Sequence, residues 1–243
     1  MSRKARDRRQ IVAMGGGGWG MEPLNPRLDR YVLSLTGKRS PRVCFVPTAS
    51  GDSRDYVRRF YLAFKKHACR PSDLTLFRRD ARDPTKHLLD QDVIYVGGGN
   101  TANLLAIWRL HGVDRAMRQA WQQGTVLCGV SAGMICWFEC SVTDSFGPLR
   151  DLRDGLGLLP GSACPHYDGE AKRRPTFHKL IKKGFPAGVA ADDGAAIHFV
   201  GREIFRCVSS RPNAKGYRVG RERGRVVEEP LPTIYLDRNG DLS

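Results

Sequence analysis

Thr125-Val126-Leu127-Cys128-Gly129-Val130-Ser131-Ala132-Gly133-Met134-Ile135-Cys136-Trp137-Phe138-Glu139-Cys140 is the stretch on which the fold turns. Val126 to Cys128 is a short apolar run that reads as a buried strand. Gly129 to Gly133 then makes a turn, and an apolar pattern read as helical follows it. Strand, G-x-S-x-G and helix in that order are the context of a nucleophile elbow. Glycines flank the serine because the turn is sharp, and side chains there would meet neighbouring backbone. The hydroxyl would then stand at a strand's carboxyl end, above a helix N-terminus whose free N–H groups stabilise an anion. A plainer alternative is a glycine-rich turn whose serine only caps the helix.

Upstream, the same alternation repeats. Ile11 to Met14 is a brief strand ending in Gly15-Gly16-Gly17-Gly18, and a helix begins after Asn25-Pro26 with Leu28, Tyr31, Val32 and Leu35 on one face. The glycine cluster lacks the spacing and acidic partner of a dinucleotide site. Its expected role is close packing where backbone crosses a sheet, or lining of a cleft. Val43 to Val46 is a second strand, followed by a helix from Ser53 or Asp55 to about Lys66. Asp73 to Phe77 reads as a third strand and Val93 to Val96 as a fourth. Gly97-Gly98-Gly99-Asn100-Thr101 leads into helices over Ala102 to Leu110 and Val113 to Gln122. Downstream, Ala191-Asp192-Asp193-Gly194 precedes a strand-like Ala195 to Val200. Turns at Arg211-Pro212-Asn213 and Arg223-Gly224 separate short strands that look antiparallel.

Short strands alternating with helices predict an α/β fold with a mostly parallel sheet and helices on both faces. Ligands of such sheets bind at the strands' carboxyl ends, where both Gly97–Thr101 and Gly129–Gly133 lie. No repeat or linker divides the 243 residues, so one domain spanning 1–243 is expected, with residues 1–10 a basic and disordered tail. With 41% hydrophobic and 27% charged residues the composition is that of a soluble globular protein. No apolar run approaches the roughly 20 residues that cross a bilayer, and no signal-peptide pattern opens the chain. Seven cysteines without a C-x-x-C pair argue against a disulfide framework or zinc ribbon and fit a cytoplasmic protein. Cys44, Cys128 and Cys136 lie in apolar runs and read as core.

The formal charge of +15 is the unusual bulk property. The basic residues are spread along the chain, without a nucleic-acid motif, so a solvated basic surface is the expectation. A polyanion-binding protein that has lost its chemistry is the non-enzymatic alternative.

A serine nucleophile needs a base, and the base an orienting acid. Of six histidines, His67, His87, His111 and His178 sit in helical or polar stretches and read as surface. His198 lies within a strand and reads as core. His166 follows an apolar turn and a proline and is the candidate base.

Val96-Gly97-Gly98-Gly99-Asn100-Thr101, Gly129-Val130-Ser131-Ala132-Gly133, Pro165-His166 and Asp192-Asp193-Gly194 occur in the order and rough spacing of the peptidase E family. The chain thus resembles the aspartyl-dipeptidase-like serine peptidases, relatives of the cyanophycinases, from about Ile11 to Val200. The resemblance implies a glutamine-amidotransferase-like three-layer α/β sandwich. It also implies a serine exopeptidase acting on short peptides, with N-terminal aspartate as one substrate. It places the nucleophile on Ser131, the base on His166, and the oxyanion hole on the N–H groups of Gly99 and Ala132. For the acid, the family's glutamate falls at Asp193, one methylene shorter. Asp144 is the rival, from the loop between nucleophile and base, with Asp192 and Glu139 behind; Glu139 is read on the helix leaving the elbow. Met134 to Phe138 stand where the aspartyl dipeptidases carry small polar residues, and are read as pocket walls that leave aspartate specificity open. Arg150 is a candidate partner for an acidic substrate. No metal and no cofactor are implied, nucleic acid and membrane are not expected partners, and a homodimer is allowed for. The enzymatic alternative is an esterase of the α/β-hydrolase type, in which the histidine normally comes far downstream.

Overall fold

The structure, a computed structural model, describes residues 9–80 and 82–242. In chain order its elements are β1 (Gln10–Met14), α1 (Gly18–Met21), α2 (Arg27–Ser34), β2 (Arg42–Val46), α3 (Arg54–Phe64), β3 (Arg70–Asp73), α4 (Pro84–Leu89) and β4 (Val93–Val96). Then come α5 (Thr101–His111), α6 (Val113–Gln123), β5 (Val126–Val130), α7 (Ala132–Ile135), β6 (Phe138–Thr143), β7 (Arg150–Leu152) and β8 (Leu159–Cys164). The last group is α8 (Arg173–Lys182), β9 (Gly188–Ala191), β10 (Ala195–Val200), β11 (Glu203–Ser209), β12 (Gly216–Glu222), β13 (Arg225–Pro230) and β14 (Thr233–Tyr235).

Eight strands form the main sheet in the order β14-β11-β10-β1-β5-β4-β2-β3, and six more form a second sheet, β13-β12-β9-β8-β6-β7. The main sheet is mostly parallel, with β10 antiparallel to both β1 and β11. Its strands read as continuous apolar runs because both faces are covered. Alternate residues serve opposite faces, as the two-residue period of a strand requires. Ile11, Ala13, Ile94, Val96 and Leu127 pack with α4 to α7 and one face of the second sheet. Val12, Met14, Val93, Tyr95 and Cys128 pack with α1 to α3. The result is the three-layer α/β fold expected. Helix α8 covers the outer face of the second sheet through Phe177 and Ile181.

Several local expectations are corrected. The third strand is Arg70–Asp73, not Asp73 to Phe77; it pairs with β2 at the sheet edge, where the missing N–H of Pro71 is tolerated. Leu74 and Leu76 are buried beyond its end, which explains their strand-like pattern. The helix after Ser131 lasts a single turn, and Phe138 to Thr143 is strand β6. Residues 132 to 138 are all buried, so no polar face was present to separate helix from strand. Glu139 is therefore on a strand, where its Oε2 accepts the Gly161 N–H at 2.9 Å. Helix α4, capped by Asp83 with Pro84 in its first turn, was not anticipated. Of the expected disordered segment 1–10, residues 1–8 lie outside the described residues; Gln10 begins β1, and the Arg9 carbonyl accepts the Gly201 N–H at 2.8 Å. Cys44, Cys128 and Cys136 are buried as expected, and all seven cysteines are free.

Candidate active site

Strand β1 lies between β5, which runs parallel to it, and β10, which runs antiparallel. The end of a parallel neighbour and the start of an antiparallel one meet at the same sheet edge. Ser131, directly after β5, and Asp193-Gly194, directly before β10, therefore both arrive at the carboxyl end of β1. His166 reaches the same place from the second sheet, two residues past β8.

The chain leaving β1 holds all three. The Ser131 N–H donates to the Met14 carbonyl at 3.1 Å, the His166 N–H to the Gly15 carbonyl at 3.2 Å, and the Gly194 N–H to the Gly16 carbonyl at 3.1 Å. Three consecutive carbonyls each fix one functional segment. A side chain at Gly16 would overlap the Asp193 Oδ1 and crowd His166 Nδ1, so glycine is required there. The glycine cluster thus packs closely against residues 191–194, one of its two expected roles.

His166 Nδ1 and Asp193 Oδ1 are 2.6 Å apart, with side chains 13% and 14% exposed. Asp193 is held in turn by its own N–H, which donates to Asp168 Oδ1 at 2.8 Å. The hydrogen bond from His166 holds the Asp193 carboxyl below its ordinary range; burial opposes this, and the charges of His166, Arg211 and Arg173 assist it. With Nδ1 facing the carboxylate, Nε2 is left to take a proton.

Ser131 has φ 58° and ψ −112°, and His166 has φ 50°. Only four described residues other than glycine have positive φ, so two of the four fall in this site. Backbone strain of that kind persists where surrounding structure over-determines it. The Ser131 side chain makes no capping hydrogen bond to α7, nor any other among the described residues, so the capping alternative does not describe it. It is half-buried.

Two N–H groups near it are equally free. Neither the Gly99 nor the Ala132 N–H donates to an acceptor among the described residues. Gly99 has φ +137°, and a Cβ there would overlap the Ala49 carbonyl. The preceding Gly98 lies against Ser131, a methyl group there falling 3.4 Å from the serine Cβ, so this loop and the amide following the serine match the two-loop layout of an oxyanion hole.

The other candidates are placed elsewhere. Asp144 is exposed and faces Arg173, with 3.7 Å between Oδ2 and Nη2, and does not touch His166. Asp192 is buried and accepts the Lys215 N–H at 3.0 Å and the Tyr217 hydroxyl at 3.1 Å. Arg150 lies on β7 with its guanidinium 5.3 Å from the Phe146 ring centre and forms no hydrogen bond or ion pair with Ser131, His166 or Asp193. Met134 to Phe138 are core residues, Trp137 packing 6.1 Å from Trp108; of them Phe138 also borders a hollow with Pro160, Val189 and Phe199, whose lining does not include Ser131 or His166. His178 is more than a surface residue: its Nε2 is 2.8 Å from Glu228 and 3.0 Å from the Tyr167 hydroxyl. His198 is buried as expected, 2.7 Å from the Tyr31 hydroxyl. Among the described residues no group of three or more His, Cys, Asp or Glu side chains is placed to hold a metal ion. No helix among them is long and apolar enough to cross a membrane.

A serine of strained backbone, tied by β1 to the same sheet end as an imidazole–carboxylate pair, is the layout expected of a hydrolase. Comparison with known proteins narrows the class. Residues 11–207 match peptidase family S51, and the chain belongs to that family; it is a peptidase. It is 54% identical over 229 residues to YgaJ, an uncharacterized peptidase of Bacillus subtilis strain 168, covering 94% of this chain and 99% of that one. It is 29% identical over 161 residues to peptidase E of Shewanella denitrificans, covering 62% and 66%. Among solved structures, a peptidase from an acI-B1 actinobacterium superposes with a TM-score of 0.69 at 16% identity, covering 90% of this chain and 93% of that one. A peptidase E-like protein from Listeria monocytogenes EGD-e superposes with a TM-score of 0.58 at 20% identity, covering 81% and 96%. These two likenesses concern the fold.

Proposed function

We propose that the protein is a serine exopeptidase that hydrolyses short peptides, N-terminal aspartyl dipeptides among them, through an acyl-enzyme on Ser131. His166 Nε2 takes the proton from the Ser131 hydroxyl as Oγ attacks the scissile carbonyl. The N–H groups of Gly99 and Ala132 receive the oxyanion; one such donor is typically worth about 10²–10³ in kcat. Asp193 keeps the His166 Nδ1 proton in place and stabilises the imidazolium. His166 then gives its proton to the leaving amine, and water, deprotonated by the same nitrogen, releases the acyl group.

The observation that carries this reading is the run of carbonyls at Met14, Gly15 and Gly16, which ties the nucleophile, base and acid segments to one another. Substrate choice rests on the relatives named peptidase E. Burial of Met134 to Phe138 in the core supports keeping aspartate among the substrates. A cytoplasmic location is part of the same proposal, supported by the seven free thiols.

The test is a panel of dipeptides and aminoacyl anilides with N-terminal Asp, Asn or neutral residues, run on wild type and Ser131→Ala. Turnover is expected to vanish in the variant while its circular dichroism and melting temperature stay unchanged. A fluorophosphonate should label wild type at Ser131 and leave Ser131→Ala unlabelled. Retained turnover in the variant would sink the mechanism.

A further inference from the structure

Helix α5 begins directly after the candidate donor Gly99, and its first N–H groups are satisfied in an unusual way. Asn103 N–H donates to Asn100 Oδ1 at 2.9 Å, an ordinary N-cap. The N–H groups of Thr101 and Ala102 both donate to the hydroxyl of Ser145, at 2.9 and 3.2 Å. Ser145 lies 44 residues away from Thr101, in the loop between β6 and β7. Its carbonyl also accepts the Asn100 Nδ2 at 2.9 Å. A single residue from another element therefore holds the start of α5 from both its side chain and its backbone.

The arrangement uses the hydroxyl completely. Ser145 Oγ accepts two N–H groups and sits 2.7 Å from the hydroxyl of buried Thr143, to which its own proton can go. Thr143 Oγ1 also accepts the Ser145 N–H at 3.2 Å, which fixes the loop's shape. On the other side, the Asn100 N–H donates to the Ala49 carbonyl at 2.8 Å, the same carbonyl that leaves no room for a side chain at Gly99. The residue following Gly99 is thus gripped between Ala49 and Ser145. Ser145 and Asn100 consume the first N–H groups of α5, whereas the Gly99 N–H, in the loop that lies against Ser131 at Gly98, donates to no acceptor among the described residues.

The loop's other end leads to the base. Asp144 faces Arg173, which is only 3% exposed and also bonds Glu170 Oε2 at 2.8 Å and the Val142 carbonyl at 3.1 Å. The Glu170 N–H donates to the His166 carbonyl at 3.1 Å. One strap, residues 143–145, runs from the donor loop to the turn that carries His166.

We propose that Ser145 is a positioning residue for the reaction, setting the aim of the Gly99 N–H by clamping the start of α5. The inference rests on the proposed Ser131 chemistry. Loss of the hydroxyl leaves two helix N–H groups without their partner and releases the Gly99 peptide on one side. A donor that acts only on the developing oxyanion affects kcat and leaves ground-state binding alone. Misplacement on the order of 1 Å is enough for a loss of about 10²-fold.

The experiment measures kcat, KM and the inhibition constant of a peptide aldehyde, whose hemiacetal mimics the tetrahedral species, for wild type and Ser145→Ala. The expected result is a kcat lower by about 10- to 100-fold, a KM within about threefold of wild type, and aldehyde affinity falling in parallel with kcat. Unchanged kcat, or a rise in KM alone, overturns the proposal. Ser145→Thr and Ser145→Val, alike in shape, isolate the hydroxyl should the alanine variant not fold. The threonine variant is expected to keep at least tenfold more activity than the valine variant, and equal losses count against the clamp. Ser131→Ala in the same series keeps the two ideas apart: its retained turnover would remove the underlying mechanism, whatever Ser145 does.

Discussion

Asp193 shows what a single methylene changes in this site. The resemblance places a glutamate at this step, and the shorter aspartate still reaches His166 Nδ1 at 2.6 Å, because a parallel bridge between Gly16 and Asp193 and the Asp168 bond to its N–H bring the backbone close. Replacing Asp193 by asparagine keeps the shape but presents an N–H or a neutral oxygen, and in either case ceases to stabilise the imidazolium. kcat is expected to fall by about 10⁴-fold, the size of the effect when a triad acid becomes its amide. Steady-state assays on Asp193→Asn and Asp144→Asn check this. A larger loss in the Asp144 variant would reverse the assignment. The same pair has a signature in stability. The carboxyl is held below its ordinary range in the folded protein, so near the usual carboxylate range the unfolded chain binds more protons than the folded one. The stabilisation is present above that range and is lost as pH falls through the depressed folded value. Urea unfolding of wild type and Asp193→Asn at about pH 7 and about pH 3, with 3.9 the ordinary aspartate value, should show the difference between them shrinking in acid.

The exit of β1 is where element geometry becomes chemistry, because Met14, Gly15 and Gly16 each offer a carbonyl to a different functional segment. Gly16→Ala puts a methyl group against the Asp193 carboxylate and His166. Overpacking of this kind typically costs about 1–3 kcal/mol, and here it also pushes the pair apart. Lower urea stability together with a loss of kcat is the expected outcome; an active and fully stable variant would show that the ladder does not position the site. None of these contacts was legible in the sequence, although the glycines were. A cluster announces that side chains are excluded, but the partners, at 131, 166 and 194, come from three distant segments. Strands β1, β2, β4, β5 and β10 were readable because each is a short apolar run bounded by glycine or polar residues. The elbow's helix was misread because Ala132 to Phe138 is buried on every side, and a run without a polar face carries no period. Motif order singled out Ser131 and His166, whose segments the structure ties to neighbouring carbonyls of one strand end. Ser145 was not, since its role depends on which loop folds over the start of α5.

At the scale of the whole molecule the site occupies the seam between the two sheets. Ser131 lies where the chain passes from β5 of the main sheet to β6 of the second, and Asp193 where it returns from β9 to β10. His166 follows β8, a strand of the second sheet. A site at such a seam experiences the charge of the whole molecule, and that charge is strongly positive: 40 basic against 25 acidic side chains leave +15. Charge of one sign raises the local concentration and encounter rate of oppositely charged ligands, and salt weakens the effect as the screening length shrinks to about 10 Å at 0.1 M. Asp-Leu and Asn-Leu anilides are nearly alike in shape and differ by one negative charge, so their ratio of kcat/KM isolates the field from the fit. Between about 0.01 and 0.3 M sodium chloride, where screening changes most for surface charges, kcat/KM for the aspartyl substrate should fall several-fold more than for the asparaginyl one. The contrast should reside in KM at low salt and leave kcat unmoved, because the field acts on encounter and not on the bound transition state. Parallel salt profiles for the two substrates would mean that the positive charge serves no purpose at this site and is only a solvated surface.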